Sequence, residues 1–88
     1  MQIFIMEDRN ICVGEFVDDG MTIGLDNAFV IRRWGTTKGL GEIAYGGPTN
    51  KTILDPCPPI RTHVLKVLFR MECNAEAWAK ASLPERPK

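Results

Sequence analysis

No apolar run in this 88-residue chain approaches the roughly 20 residues that a membrane-spanning helix needs. No membrane partner is therefore expected. The opening MQIFIMEDRN lacks the basic n-region and small-residue cleavage site of a secretory signal. Cysteine is sparse and odd in number: Cys12, Cys57 and Cys73 stand far apart, with no C-x2–4-C pair. That excludes a zinc knuckle and a disulfide framework, and it fits reduced thiols in a cytoplasm. Cys12 and Cys73 are expected as small core residues and Cys57 as a loop thiol. Histidine occurs once, as His63, with no serine or cysteine nearby that reads as a nucleophile. Only Glu42, Asp55 and His63 could serve an enzyme as acid or base, so neither catalysis nor a cofactor or metal is expected. No internal repeat or low-complexity segment is evident.

What is present suits one small domain spanning 1–88, 44% hydrophobic and 25% charged. So small a core is often supplemented by association, and exposed strand edges need cover. A homo-oligomer is expected, with Trp34, Tyr45, Leu68 and Phe69 as the interface residues. Net charge is zero, yet the two signs are segregated along the chain. Residues 1–31 carry six acids against Arg9 alone, and residues 32–70 carry seven bases against Glu42 and Asp55. Either the middle bases form one anion-attracting surface, or the two regions pair across strands and leave nothing over.

Period-2 alternation marks strands at the start of the chain and at residues 11–17, with the turn residues of 7–10 between them. Asp19-Gly20 is a hairpin signal, since glycine supplies the positive φ such turns require. A third strand follows at 21–25, Asp26-Asn27 reads as a further turn, and 28–34 as a fourth strand. Residues 1–34 thus read as an antiparallel meander, and 35–50 as a glycine-rich loop. Residues 51–73 supply closing strands, including a long one at 63–72, after a proline-forced extended crossing at 55–59. Asn74 is an N-cap for a helix reaching residue 83, which Trp78 would dock, and 85–88 reads as a frayed tail. The fold class is mainly β: a small SH3- or Sm-like barrel, or a bent antiparallel sheet, with a short C-terminal helix. Gly14 and Gly24, both mid-strand, mark where the bend would tolerate no side chain.

The most informative stretch is RRWGTTKGLGEIAYGGPT, residues 32–49, which holds five of the eight glycines. Its GLGEIA matches the letters of a dinucleotide fingerprint. However, Tyr45-Gly46-Gly47-Pro48 ends any helix within two turns, and the chain has no room for a βαβ domain. A Walker loop fails because Lys38 precedes Gly39. The remaining reading is a ligand-facing loop. Backbone amides near Gly35, Gly39 and Gly41, with the hydroxyls of Thr36, Thr37 and Thr49, suit phosphate oxygens. Arg32, Arg33 or Lys38 supplies charge, and Trp34 or Tyr45 could stack on a base. Trp34, Leu40, Ile43 and Tyr45 are also the residues in this stretch that favour burial.

The segment GEFVDDGMTIGLDNAFVIRRWGTTKGLGEIAYGGPTNKTILD, residues 14–55, resembles a family of small, uncharacterised phage and prophage proteins. Their pattern includes V-I-R-x-W-G-T-T-x-G-L-G-E-[LI]-A followed by G-P-T-x-x-T-x-L-D. The resemblance implies a phage-encoded protein acting in the host bacterial cytoplasm. By analogy of size, source and site chemistry, it suggests a non-catalytic sponge that sequesters a phosphorylated, nucleotide-like signal of bacterial immunity. The competing expectations are a host-protein-binding or structural oligomeric β module, and a nucleic-acid-binding Sm- or SH3-like domain. A zero net charge speaks against the last.

Overall fold

Alternation in the first strand gives the molecule two apolar faces. In β1 (Gln2–Met6), Ile3 and Ile5 face one way, and Phe4 and Met6 the other. The computed structural model describes residues 1–86. Within them β1 is followed by β2 (Ile11–Asp18), β3 (Ile23–Arg33), α1 (Leu40–Gly46), β4 (Ile53–Pro56) and β5 (Ile60–Thr62). A 3-10 turn (Val64–Lys66), β6 (Val67–Glu72) and α2 (Ala75–Ala79) complete the order. All pairings are antiparallel, in the order β4-β3-β2-β1-β6, with β5 beside the first half of β3. The fold is therefore mainly β, in the bent-sheet form. Of the two forms expected, the sheet takes the bent one and does not close into a barrel: among the described residues β6 pairs only with β1.

Ile3, Val13, Phe29 and Ile31 pack beneath α1 and α2 against Leu40, Ile43, Ala44 and Trp78. Phe4, Cys12, Leu25 and Ala28 fill the other face, covered by Phe16, Cys57, Ile60 and Val67 as the sheet curls. Both faces are thus buried, which lets so short a chain hold Phe4, Ile3, Leu25, Ile43 and Val13 fully out of water.

The expected third and fourth strands are one strand. Val13 pairs with Phe29 and Glu15 with Asp26, so residues 27 and 28 stand opposite Gly14 as a bulge. Asn27, the first residue of the bulge, has a positive φ of 47°. A side chain on Gly14 would lie 2.8 Å from the Asp26 carbonyl oxygen and 3.1 Å from the Ala28 Cα. Gly24 is needed for a related reason, because a Cβ there would overlap the Ile60 carbonyl of β5. The proline-rich crossing carries the chain from β4 to β5 along the same edge of β3, and Cys57 N donates to Ala28 O at the bulge.

Three further expectations are corrected. The glycine-rich stretch contains α1, whose Leu40, Ile43 and Ala44 lie at the i, i+3, i+4 spacing of a buried helix face. Residues 63–66 turn rather than extend, because His63 Nδ1 accepts from Leu65 N and caps the 3-10 turn. The C-terminal helix ends at Ala79, not at residue 83, although Asn74 does cap it by accepting from Glu76 N and Ala77 N. Of the expected frayed tail, residues 87 and 88 lie outside the described residues. Arg86, by contrast, donates to the carbonyls of Cys57 and Ala28 and covers the Phe29 ring at 4.5 Å.

Candidate functional site

Between β3 and β4 the chain builds a ledge from residues 32–52, and its construction starts with two hydroxyls. Thr52 Oγ1 donates to the Trp34 carbonyl at 2.6 Å and accepts from Thr49 N at 2.9 Å. Thr49 Oγ1 donates to the Gly35 carbonyl at 2.9 Å and accepts from Lys51 N at 3.1 Å. These bonds clamp residues 34–35 against 49–52, so closely that a Cβ on Gly35 would lie 2.6 Å from the Lys51 carbonyl oxygen. Gly35 also has a φ of 70°, which disfavours any other residue there. Thr36 Oγ1 donates to Gly39 O at 2.7 Å and closes the next turn.

Helix α1 follows within the GLGEIA letters, but its entrance is already occupied. The Glu42 carboxylate accepts from Lys38 N at 3.0 Å, so an internal anion sits where a phosphate would be cradled. At the other end the carbonyls of Ile43 and Ala44 are satisfied by Trp78 Nε1 at 3.1 Å and Asn74 N at 2.8 Å. The helix is therefore held as a rigid part of the ledge by α2.

The expected site residues divide by what already engages them. Arg32 is committed to Asp55 through two bonds of 2.8 and 3.2 Å, which raise its pKa further above the usual value. Gly35, Thr36, Gly39 and Thr49 build the scaffold, and Gly41 lies in the first turn of α1. Arg33, Thr37 and Lys38 are exposed, and among the described residues neither Arg33 nor Lys38 makes an ion pair. Trp34 is 42% exposed and Tyr45 81% exposed, so the apolar residues of the stretch split: Leu40 and Ile43 enter the core, and the two aromatics do not.

The charge segregation resolves in the same way. Arg61 pairs with Asp26 and Lys66 with Glu7 across the two regions of the chain, and Arg32 pairs with Asp55 inside the basic region. Of the seven bases in residues 32–70, Arg33, Lys38, Lys51 and Arg70 are left without carboxylate partners among the described residues, and the first three lie on the ledge. Lys51 and Thr52 lay beyond the stretch singled out from sequence. Their signal was the T-N-K-T spacing, which lets two hydroxyls bond reciprocally.

The surface is a ledge rather than a cleft. A depression of about 460 Å³ borders it, lined by Pro48, Thr49, Asn50, Thr52, Ser82 and Pro84 among others. Two more, of about 320 and 480 Å³, lie away from it on either side of Arg86. The acid–base candidates are dispersed: Asp55 is on Arg32, Glu42 on the Lys38 amide, and His63 caps its own turn. Cys12 and Cys73 lie in the cores on opposite faces of the sheet, where burial pushes both thiols up to about 11. Comparison with protein-family models, curated proteins and solved structures finds no match to this chain. No helix among the described residues is long and apolar enough to cross a membrane.

Proposed function

We propose that the 32–52 ledge reversibly binds a phosphorylated, nucleotide-like partner. The observation that carries this reading is a set of cations without carboxylate partners among the described residues, Arg33, Lys38 and Lys51, on the same stretch as exposed Trp34 and Tyr45, in a scaffold whose own polar groups are bonded internally. Such a scaffold loses little conformational freedom on binding, so the charges and ring faces are free to act on a ligand. Arg33 offers a planar fork to phosphate oxygens, and an indole or phenol face accepts a base. The binding is ledge-like, to an exposed phosphate edge and one ring face, and not to a buried nucleotide. With the phage origin that the sequence resemblance implies, the role is sequestration, in the host bacterial cytoplasm, of a signal made by bacterial immunity.

The test is calorimetry of the full chain against a panel of cyclic dinucleotides, ADP-ribose derivatives and mononucleotides, with Arg33→Ala and Trp34→Ala alongside. Charge-assisted hydrogen bonds are worth about 1.5–3 kcal/mol, so Arg33→Ala should weaken binding about 10- to 100-fold. Trp34→Ala should weaken it by a comparable factor through lost stacking. A wild type that binds nothing in the panel, or variants that bind as tightly as it does, would refute the assignment.

A further inference from the structure

The second conspicuous surface lies along the free edge of the sheet. Among the described residues, strand β6 pairs with β1 on one side and with no strand on the other. Leu65, Leu68 and Phe69 are 78%, 60% and 64% exposed along it and the preceding 3-10 turn. Val64 is exposed too, and it shares a depression with Met21, which the β2–β3 hairpin brings alongside. Edge strands usually carry charge or proline, or a bulge that spoils the template for pairing. Here a bulge exists: Ile5 pairs with Phe69 and Met6 with Val67, so Leu68 is the extra residue. Beyond it the strand is regular, with Phe69, Arg70, Met71 and Glu72 facing Ile5, Phe4, Ile3 and Gln2 in turn.

In that regular part the faces alternate. Phe69 and Met71 lie on the side of Ile5 and Ile3, and Arg70 and Glu72 on the side of Phe4 and Gln2. Arg70 and Glu72 are thus opposite charges two residues apart on one face of a strand whose outer edge has no partner among the described residues. Antiparallel pairing of this segment with itself about Met71 sets Arg70 directly across from Glu72 of a second copy, and Glu72 across from its Arg70. The same register keeps Phe69 and Met71 on a shared apolar face. Within one chain Arg70 lies over the Phe16 ring at 5.4 Å and Glu72 accepts from Gln2 Nε2 at 2.7 Å, but neither makes an ion pair within the described residues.

We infer that two copies of this chain associate through β6, continuing the sheet across a twofold axis at Met71, with reciprocal Arg70–Glu72 pairs. The inference is independent of the ledge and of what the ledge binds. Its occupant is a second copy because the charge pattern complements itself.

Sedimentation equilibrium of the full chain over the micromolar to submillimolar range tests it, beside Arg70→Glu, Glu72→Arg and the double exchange R70E/E72R. The wild type should approach about 20 kDa, twice the 9.9 kDa chain. Each single exchange places like charges opposite one another at two positions and should raise the dissociation constant about tenfold. The double exchange should restore it, with unchanged far-UV circular dichroism showing that all four proteins fold. A wild type that stays monomeric throughout, single exchanges that associate as the wild type does, or a double exchange no better than the singles would each overturn the proposal.

Discussion

The ledge and the β6 edge both expose aromatic side chains, for opposite reasons. On the ledge Thr49, Thr52, Thr36 and Glu42 bond backbone groups of the loop, and Trp34 and Tyr45 project from a finished frame. On the edge the frame is unfinished: among the described residues a row of backbone donors and acceptors lacks a neighbouring strand, and Leu68 and Phe69 flank it. Exposure of a large apolar residue therefore means different things in the two places. A satisfied backbone around it suits a ligand that meets side chains, and an unsatisfied one suits a partner that brings backbone of its own.

The sharpest way to test that distinction is to compare an aromatic that holds the frame with one that does not. Trp78 is 3% exposed, packs on Ile43 and Phe29, and donates to the Ile43 carbonyl that ends α1. Trp78→Ala should cost about 3–5 kcal/mol in urea unfolding, since it leaves a large cavity in the core. Phe69→Ala, at 64% exposure, should change the stability of the isolated chain by no more than about 0.5 kcal/mol. A large loss for Phe69→Ala at concentrations too low for association would show that the edge is part of the monomer's core.

A smaller effect concerns the ledge alone. Thr52→Val keeps the shape of the side chain and removes the hydroxyl shared by the Trp34 carbonyl and Thr49 N. The expected loss is about 1–2 kcal/mol, from two hydrogen bonds at a partly exposed site. Amide exchange should quicken at residues 49–52 and leave β6 unchanged. Equal loosening of both surfaces would mean that they share one frame and are not separable.

Much of the sheet was legible because its signals are local. Alternation at Ile3 and Ile5 and at Ile11 and Val13, the Asp19-Gly20 turn and the Asn74 cap each depend on a few neighbouring residues. The bulge at Asn27 was not legible, because Asp26-Asn27 has the chemistry of a turn. Only Gly14, facing it across the ladder, allows the strand to run on. Helix α1 was hidden by low helix propensity at Gly41 and Gly46. It stands because Trp78 and Asn74, some 30 residues away, take its last carbonyls. The chemistry of the ledge could be read from residue types, but not which members were already engaged. Nothing near Arg32 in the sequence announces Asp55, and nothing near Lys38 distinguishes a Glu42 that binds the chain's own amide from one that meets solvent.

The smallest expected effect lies in the hairpin turn that carries Met21 to the edge. The Asp19 carboxylate accepts from the backbone N–H groups of Thr22, at 2.7 Å, and Met21, at 3.0 Å, and from the Thr22 hydroxyl at 2.9 Å. These bonds, led by the one from Thr22 N, hold its pKa below the ordinary 3.8. A carboxyl whose folded value is lowered adds stability above the unfolded value, and that stability is lost as pH falls through the folded one. Asp19→Asn should therefore lower the midpoint of thermal unfolding slightly at pH 7, and the gap from wild type should close in acid, below pH 3.8. Because the carboxylate is fully exposed, salt and solvent keep the effect small. A gap that persists unchanged in acid would mean that the asparagine disturbs the turn sterically. The position of Met21 at the edge would then depend on the shape of residue 19 and not on its charge.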